Sequence, residues 1–207
     1  MKVDLHSHSY YSDGVYSPSE VIKFANQAKS NLFSLTDHDT TEGLLEAQEN
    51  ANSLALNFIP GVEISAFWRN MTIHIVGLGI DINNDILQKG LHYNQRLREE
   101  RAEKIALGLR RAGITDALEK TQELSKTDMI TRTHFAQMLI REGYCKDMKS
   151  VFRRFLTGKK PGASRVEWRS FDEVVGWIHA AGGLAVIAHP FRYRMTQTKI
   201  KNMFLNF

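Results

Sequence analysis

The stretch DLHSHSYYSDG, residues 4–14, places His6 and His8 two residues apart and Asp13 five residues after His8. It completes KVDLH, whose alternation of polar and apolar residues reads as a strand. At a spacing of two along extended backbone, both imidazoles point to one side. Two imidazoles and a carboxylate in thirteen residues are the donors of a metal site. A polar surface loop is the plain alternative, and the rest of the chain has to decide between them.

Working outward, SPSEVIKFANQAKS (17–30) reads as a helix with Ser17 as N-cap, Pro18 in the first turn and Glu20 completing a capping box. LFSLTDHD (32–39) is the next strand and TTEGLLEAQENA (40–51) the next helix. LNFIPGVEIS (56–65) is a third strand broken at Pro60-Gly61, and MTIHIVGLGI (71–80) a fourth, rich in β-branched residues. Alternation of strand and helix argues for an α/β fold with parallel strands and crossover helices. From 84 to 158 only helical segments are found: 85–113, 114–124, 132–143 and 147–156. The α/β pattern resumes with SFDEVVGWIHAAGG (170–183), closed by C-cap glycines 182 and 183, and with LAVIAHP (184–190) as a buried strand. A last helical piece, TQTKIKNMFLNF (196–207), follows.

The chain has 207 residues, 43% of them hydrophobic and 24% charged, the composition of one globular domain. No apolar run reaches the roughly 18 residues of a membrane span, and the N-terminus carries no signal-like apolar region. A cytoplasmic location is the default expectation. The single cysteine, Cys145, excludes an internal disulfide framework and a cysteine-rich zinc site. The net charge of +4 conceals an asymmetry, because residues 96–165 carry 17 Lys and Arg against 9 Asp and Glu. A basic segment beside an acidic remainder suggests anions met in one part and cations held in the other. For RLREERAEK (96–104) alone, a solvated helical face is the simpler reading.

The histidines gather where strands end. His6 ends the first strand, Asp37 and His38 the second, Glu63 the third, His74 lies in the fourth and His189 closes LAVIAHP. One histidine is ordinarily structural; the coincidence over five elements is not. Imidazole plus carboxylate without thiolate suits Mn, Zn or Fe(II). The ligands are too numerous for one tetrahedral ion and suit two or three ions with a bridging carboxylate. Such clusters hydrolyse phosphate esters by activating water and neutralising phosphoryl oxygens.

DLHSHSYYSDG, SLTDHDT, GVEIS, HIVGLGID and AVIAHP together resemble the polymerase-and-histidinol-phosphatase (PHP) superfamily over essentially the whole chain. TRTHFAQMLIREG with RRFLTGKKPG resembles its stand-alone bacterial phosphoesterase branch, which includes nucleoside 3′,5′-bisphosphate phosphatases and ribonuclease AM, a 5′-to-3′ exoribonuclease. The resemblance implies a distorted (β/α)7 barrel, with residues 1–83 and 166–207 in the barrel and 84–165 a basic helical insertion. It implies one ion held by His6, His8 and Glu63, a second by Glu63, His74 and His189, and a third by Asp13 and His38. Asp13, His38 and Glu63 would serve the reaction, and Asp37 would orient a ligand from behind. The family closes its site with a late Gly-Ser-Asp-x-His segment, which this sequence lacks, so the expectation is a barrel without its C-terminal part.

In the basic half, Arg132 and His134 stand at a helix start, a favourable phosphate position. By the resemblance they would grip a substrate phosphate other than the one cleaved; a capping or core role is the alternative for His134. Lys159, Lys160 and Arg165 offer a second anion contact. Phe152, Phe155 and Trp168 could stack a base, although the spacing of the two phenylalanines suits a core better. His92 and His179 sit within helical patterns and read as structural.

The expected function is metal-dependent hydrolysis of phosphate esters of nucleotides or of the 5′ end of short RNA. Manganese is the first choice of metal, with zinc or iron(II) next, and no membrane or obligate protein partner is expected. A histidinol-phosphatase-like enzyme and a non-catalytic nucleic-acid-binding remnant are the alternatives.

Overall fold

The computed structural model describes residues 1–207 except Arg194 and Asn206. Strands β1 (Val3–Asp4), β2 (Leu32–Phe33) and β3 (Asn57–Phe58) form a parallel sheet in that order. Helices α1 (Pro18–Gln27) and α2 (Leu44–Ser53) are its crossovers. The capping box expected at α1 is present: the Ser17 hydroxyl accepts from the Glu20 amide, and the Glu20 carboxylate accepts from the Ser17 amide. Ile22, Ala25, Leu44, Ala47 and Ala51 turn inward to cover the sheet.

The second sheet departs from the parallel expectation. Strands β4 (Gly61–Trp68), β5 (Met71–Leu78) and β6 (Leu184–Ile187) pair antiparallel in that order. The reason is the connection between β4 and β5. It has only two residues, Arg69 and Asn70, with φ of 43° and 66°. Two residues cannot make a crossover, whereas a pair in the left-handed region makes a hairpin whose twist matches its strands. The two sheets meet at an isolated parallel bridge between His38 and Glu63.

Helices α3 (Asp85–Arg111), α4 (Ala117–Gln122), α5 (Arg132–Arg141) and α6 (Met148–Val151), the last continued by a π-helical turn over Phe152–Leu156, make up the helical segment. Helix α7 (Phe171–Ala180) starts at a Ser170–Glu173 capping box, and α8 (Gln197–Leu205) follows β6. Buried apolar residues form two clusters. One is built from the sheets with α1, α2 and α7; the other gathers Ile105, Leu109, Phe135, Met138, Leu139 and Val151. Helix α3 enters both, with Leu87 and Leu91 in the first and Ala102, Ile105 and Leu109 in the second. The loop after the π-helical turn lies hard against it. A Cβ on Gly108 would sit 1.8 Å from the Pro161 carbonyl oxygen, so only glycine allows this approach.

Strand β6 is not buried on both faces as expected. Leu184 and Val186 are 65% and 39% exposed while Ala185 and Ile187 face the core. It pairs only with β5, so among the described residues no strand pairs with its other edge. Among the described residues no helix is long and apolar enough to cross a membrane.

Candidate metal centre

Glu63 lies near the start of β4, not at a strand end as the sequence suggested, because the chain breaks at Pro60 and a new strand begins at Gly61; its carboxylate is buried, 1% exposed, and five imidazoles surround it. Its Oε2 lies 3.0 Å from His6 Nε2, 3.1 Å from His8 Nε2 and 3.2 Å from His38 Nδ1. Its Oε1 lies 3.0 Å from both His74 Nδ1 and His189 Nε2. Local structure explains the convergence. His6 and His8 follow directly after β1; His38 is drawn in by the bridge to Glu63. His74 is next to Glu63's neighbour Ser65 across the β4–β5 pair. His189 follows β6 in a left-handed conformation with φ of 32°, which turns its ring back over the carboxylate. Asp13 stands on the side of His8 and His38, its carboxylate oxygens 3.8 Å from His8 Nδ1 and 4.0 Å from His38 Nε2. All seven residues expected as ligands from the sequence are therefore brought together.

The electrostatics favour cations. Burial alone would raise the pKa of Glu63, but the imidazoles of His189, His6, His74 and His8 outweigh it and hold the carboxyl far below the usual range. Burial holds His38 well below the ordinary imidazole value, which leaves the ring neutral with a free lone pair. For His8, burial acts downward, yet the contact with Glu63 and the charge of Asp13 raise it overall.

Behind the ligands sits Asp37. Its carboxylate accepts from the Ser9 amide at 2.7 Å, the Ser9 hydroxyl at 2.6 Å and the Ser12 hydroxyl at 2.6 Å. The Ser12 hydroxyl lies 3.3 Å from His8 Nδ1, so Asp37 acts on that ring through Ser12. Tyr193 went unnoticed in the sequence. Its hydroxyl accepts from the His74 amide at 2.8 Å, its ring lies 5.4 Å from that of His189, and burial pushes its pKa up to about 12. An aromatic four residues after His189 was the available signal.

The donor set fits divalent cations. Ligand atoms of His6, Glu63 and His189 lie within 4.8 Å of one another, as do those of His8, His38 and Glu63. His38 Nδ1 is buried and lacks a hydrogen-bond partner although Oε2 is 3.2 Å away. Five imidazoles on one two-oxygen acceptor exceed what hydrogen bonding satisfies, and unpartnered lone pairs at these distances are the chemistry of metal ligation.

The basic segment abuts this centre through α5. Thr133 donates to Asp13 Oδ2 at 3.0 Å. Arg132, the first residue of the helix, lines a neighbouring cavity. His134 is buried and turned into the capping box: its Nδ1 accepts from the Thr131 amide at 3.2 Å. Lys159 and Lys160 are exposed on the 157–165 loop, outside that cavity's lining, whereas Arg165 contributes to it. Phe152 and Phe155 pack on the helical cluster, and Trp168 is buried. His92 is exposed, its Nδ1 2.7 Å from the Gln88 carbonyl, and His179 is exposed in α7.

Residues 4–202 match the model of the PHP domain. The chain belongs to the PHP domain family. It is 45% identical over 206 residues to a 3′,5′-nucleoside bisphosphate phosphatase of Chromobacterium violaceum, covering 99% of this chain and 72% of that one. It is 39% identical over 206 residues to a 5′-3′ exoribonuclease of Escherichia coli, covering 99% and 70%. Among solved structures, an amidohydrolase of Chromobacterium violaceum with bound sulfate and no metal superposes with a TM-score of 0.97 at 45% identity, over 100% of this chain and 73% of that one. A protein of Bifidobacterium adolescentis shares the fold, with a TM-score of 0.88 at 24% identity, over 99% and 74%. The architecture is thus the mixed α/β fold of this family.

Proposed function

We propose that this PHP protein is a metal-dependent phosphoesterase acting on nucleotides that carry a second phosphate, or on the 5′ end of short RNA. The observation that carries the reading is the carboxylate of Glu63, shared between His6, His8 and His38 on one oxygen and His74 and His189 on the other. The activities of the two relatives named above point to the same class of ester.

Divalent ions, with manganese first and zinc or iron(II) next, would be held by His6, His8, Asp13, His38, Glu63, His74 and His189, and would supply Lewis-acid activation of water and neutralise phosphoryl charge. The protein's own groups do the rest. Glu63 stays ionised and binds both groups of imidazoles into one rigid unit. Asp37, through Ser12, fixes the orientation of His8. Thr133 and Asp13 tie the start of α5 to the centre, and Arg132 beside them would meet a substrate phosphate other than the one cleaved. We assign the helical segment 84–165 to holding the parts of the substrate that do not react; its separate apolar cluster and positive charge support this. The distorted-barrel reading draws support from the His38–Glu63 bridge between the sheets.

The test is hydrolysis of adenosine 3′,5′-bisphosphate and of a 5′-phosphorylated oligoribonucleotide by the purified chain with manganese, zinc or iron(II). Release of phosphate or nucleotide that a chelator abolishes and metal restores is expected. Tight metal uptake without turnover of either substrate would overturn the reading.

A further inference from the structure

Strand β6 stops short of the pairing that its neighbour offers. Its register with β5 matches Ile75 to Ile187, so the next pair would be His74 with Ala188. In an antiparallel ladder, alternate pairs exchange both backbone hydrogen bonds. Here the strand supplies one of the two: the Ala188 amide donates to the His74 carbonyl at 2.9 Å. The His74 amide donates instead to the Tyr193 hydroxyl, at 2.8 Å. A side chain thus takes the place of the Ala188 carbonyl in the ladder.

Side-chain alternation shows why the strand has to end there. Ile187 lies on the face of β6 that joins Ile73 and Ile75 in the apolar core. Two residues on, an unbroken strand would carry His189 to that same face. Glu63 and His74 project from the other face, since their strand neighbours Ile64, Ile73 and Ile75 are the ones that enter the core. His189 can reach Glu63 only if the chain leaves the sheet, and it does. Its φ is 32°, and Pro190–Arg192 form a 3-10 turn. His189 Nε2 then lies 3.0 Å from Glu63 Oε1, and Tyr193 returns to the amide that the departing strand leaves open.

The imidazole of His189 has an unusual support. Among the described residues its Nδ1 is buried without a hydrogen-bond partner. A metal-ligating imidazole ordinarily donates that proton to a carboxylate, a carbonyl or water. Rings surround it instead: His74 and Tyr193, each with centres 5.4 Å away, and His6 at 5.7 Å. Of these three, Tyr193 alone is not a candidate ligand. On the other side of Glu63, His8 is held differently, by the Ser12 hydroxyl.

We propose that Tyr193 is the positioning residue for the half of the centre on Glu63 Oε1. Its hydroxyl fixes the backbone at His74, its ring fixes the imidazole of His189, and the two ligands are thereby set as a pair. Tyr193 touches no reacting group. The inference rests on the metal-dependent reading above and deepens it, by naming what holds one side of the centre independently of the other.

The test reads metal before turnover. Cobalt(II) is titrated into chelated wild type, Tyr193→Phe and Tyr193→Leu, and its uptake is followed by visible absorption and by competition with a chelator of known affinity. Wild type should take up cobalt in separable steps. Tyr193→Phe keeps the ring and loses the hydroxyl; it should weaken one step by about tenfold, with a changed absorption band, and leave another within about threefold. Tyr193→Leu loses the ring as well and should weaken the same step further. Equal loss in every step, as a general loosening of the fold would give, or no loss in either variant, would overturn the proposal. Wild type supplies an arm that needs no variant. In chelated protein the His74 amide should exchange its hydrogen at least about tenfold more slowly than that of Thr72, the next amide on the same edge of β5. Equal exchange rates would overturn the role of the hydroxyl whether or not the variants fold. If the cobalt and exchange results hold while adenosine 3′,5′-bisphosphate and the oligoribonucleotide stay intact, the phosphoesterase reading falls and the role of Tyr193 stands. If turnover holds and the selective loss of one step is absent, the role of Tyr193 falls alone.

Discussion

The guanidinium of Arg98 donates from Nε to Oδ2 of Asp39 at 2.7 Å, joining α3 to the loop beyond β2 across 59 residues of chain. The other oxygen of Asp39 accepts from the Ser65 amide and from Asn94 Nδ2, both at 2.8 Å. Arg98 also donates to the Ser65 hydroxyl at 2.9 Å. Asp39 is fully buried and left-handed, with φ of 52°, one residue after His38. Removing the cation strands a buried carboxylate, so Arg98→Met should cost about 3–5 kcal/mol. Adding Asp39→Asn should recover part of that loss. Urea unfolding of the single and double variants checks both statements, and a cost under about 1 kcal/mol would show that the pair is not what joins these elements.

Asp37 accepts three hydrogen bonds and reaches His8 only through Ser12. Asp37→Asn turns one acceptor into a donor facing donors. Metal affinity should drop about 10- to 100-fold, the usual effect of disturbing a ligand's support. Competition with a chelator of known affinity measures it. Ser12→Ala should follow in the same direction with a smaller effect.

Glu63→Gln removes the one negative charge that both imidazole groups share. Metal content should fall at both groups together, and turnover by at least about a hundredfold. Elemental analysis of the variant decides between a shared and a divided site. If one full equivalent of metal survives, the carboxylate does not serve both groups.

The N-terminal carboxylate of α7 gives a pH test apart from the metal. Hydrogen bonds from the Ser170 hydroxyl and amide hold Glu173 below its ordinary value. A depressed carboxyl stabilises the fold above its unfolded pKa, about 4.3, and loses that contribution as pH falls through the lower folded value. The stability difference between wild type and Glu173→Gln, measured on chelated protein, should therefore be constant near neutrality and shrink in acid. A difference that grows on acidification would refute this role of the cap.

Leu184 and Val186 are exposed on the edge strand β6, and Phe191, Ile200, Phe204 and Leu205 line an apolar cavity in the segment that follows it. Unpaired edges with apolar faces recruit other chains. The 207-residue chain should self-associate with rising concentration, and Val186→Lys should suppress this. Sedimentation velocity reads both outcomes.

Local chemistry made much of the molecule legible in its sequence. Ser17 with Glu20 marks a helix start whatever surrounds it, and the ligands announce themselves by type, although Glu63 and His74 lie within β4 and β5 instead of at a strand end. The hairpin did not, because Arg69 and Asn70 take the left-handed region without the glycine that would signal it. Helix α3 misled for a related reason. RLREERAEK reads as a solvated face, yet Asn94, Arg98 and Ala102 form a buried stripe at helical spacing, two of its members polar. Their partners Asp39 and Ser65 lie far off in sequence, so only the fold could reveal that these polar groups are matched.

Helix α3 also bears on how such a protein could be recombined. Its first turns belong to one apolar cluster, its last turns to the other, and between them Asn94 and Arg98 are bonded to the loop that carries His38. A cassette of residues 84–165 exchanged between homologues would sever that helix from its polar anchors unless Asp39 and Ser65 travelled with it. Chimeras should tolerate crossover points beyond the end of α3, where one cluster alone is cut, and fail at points within it. The same helix that spans both clusters therefore obliges their sequences to diverge together.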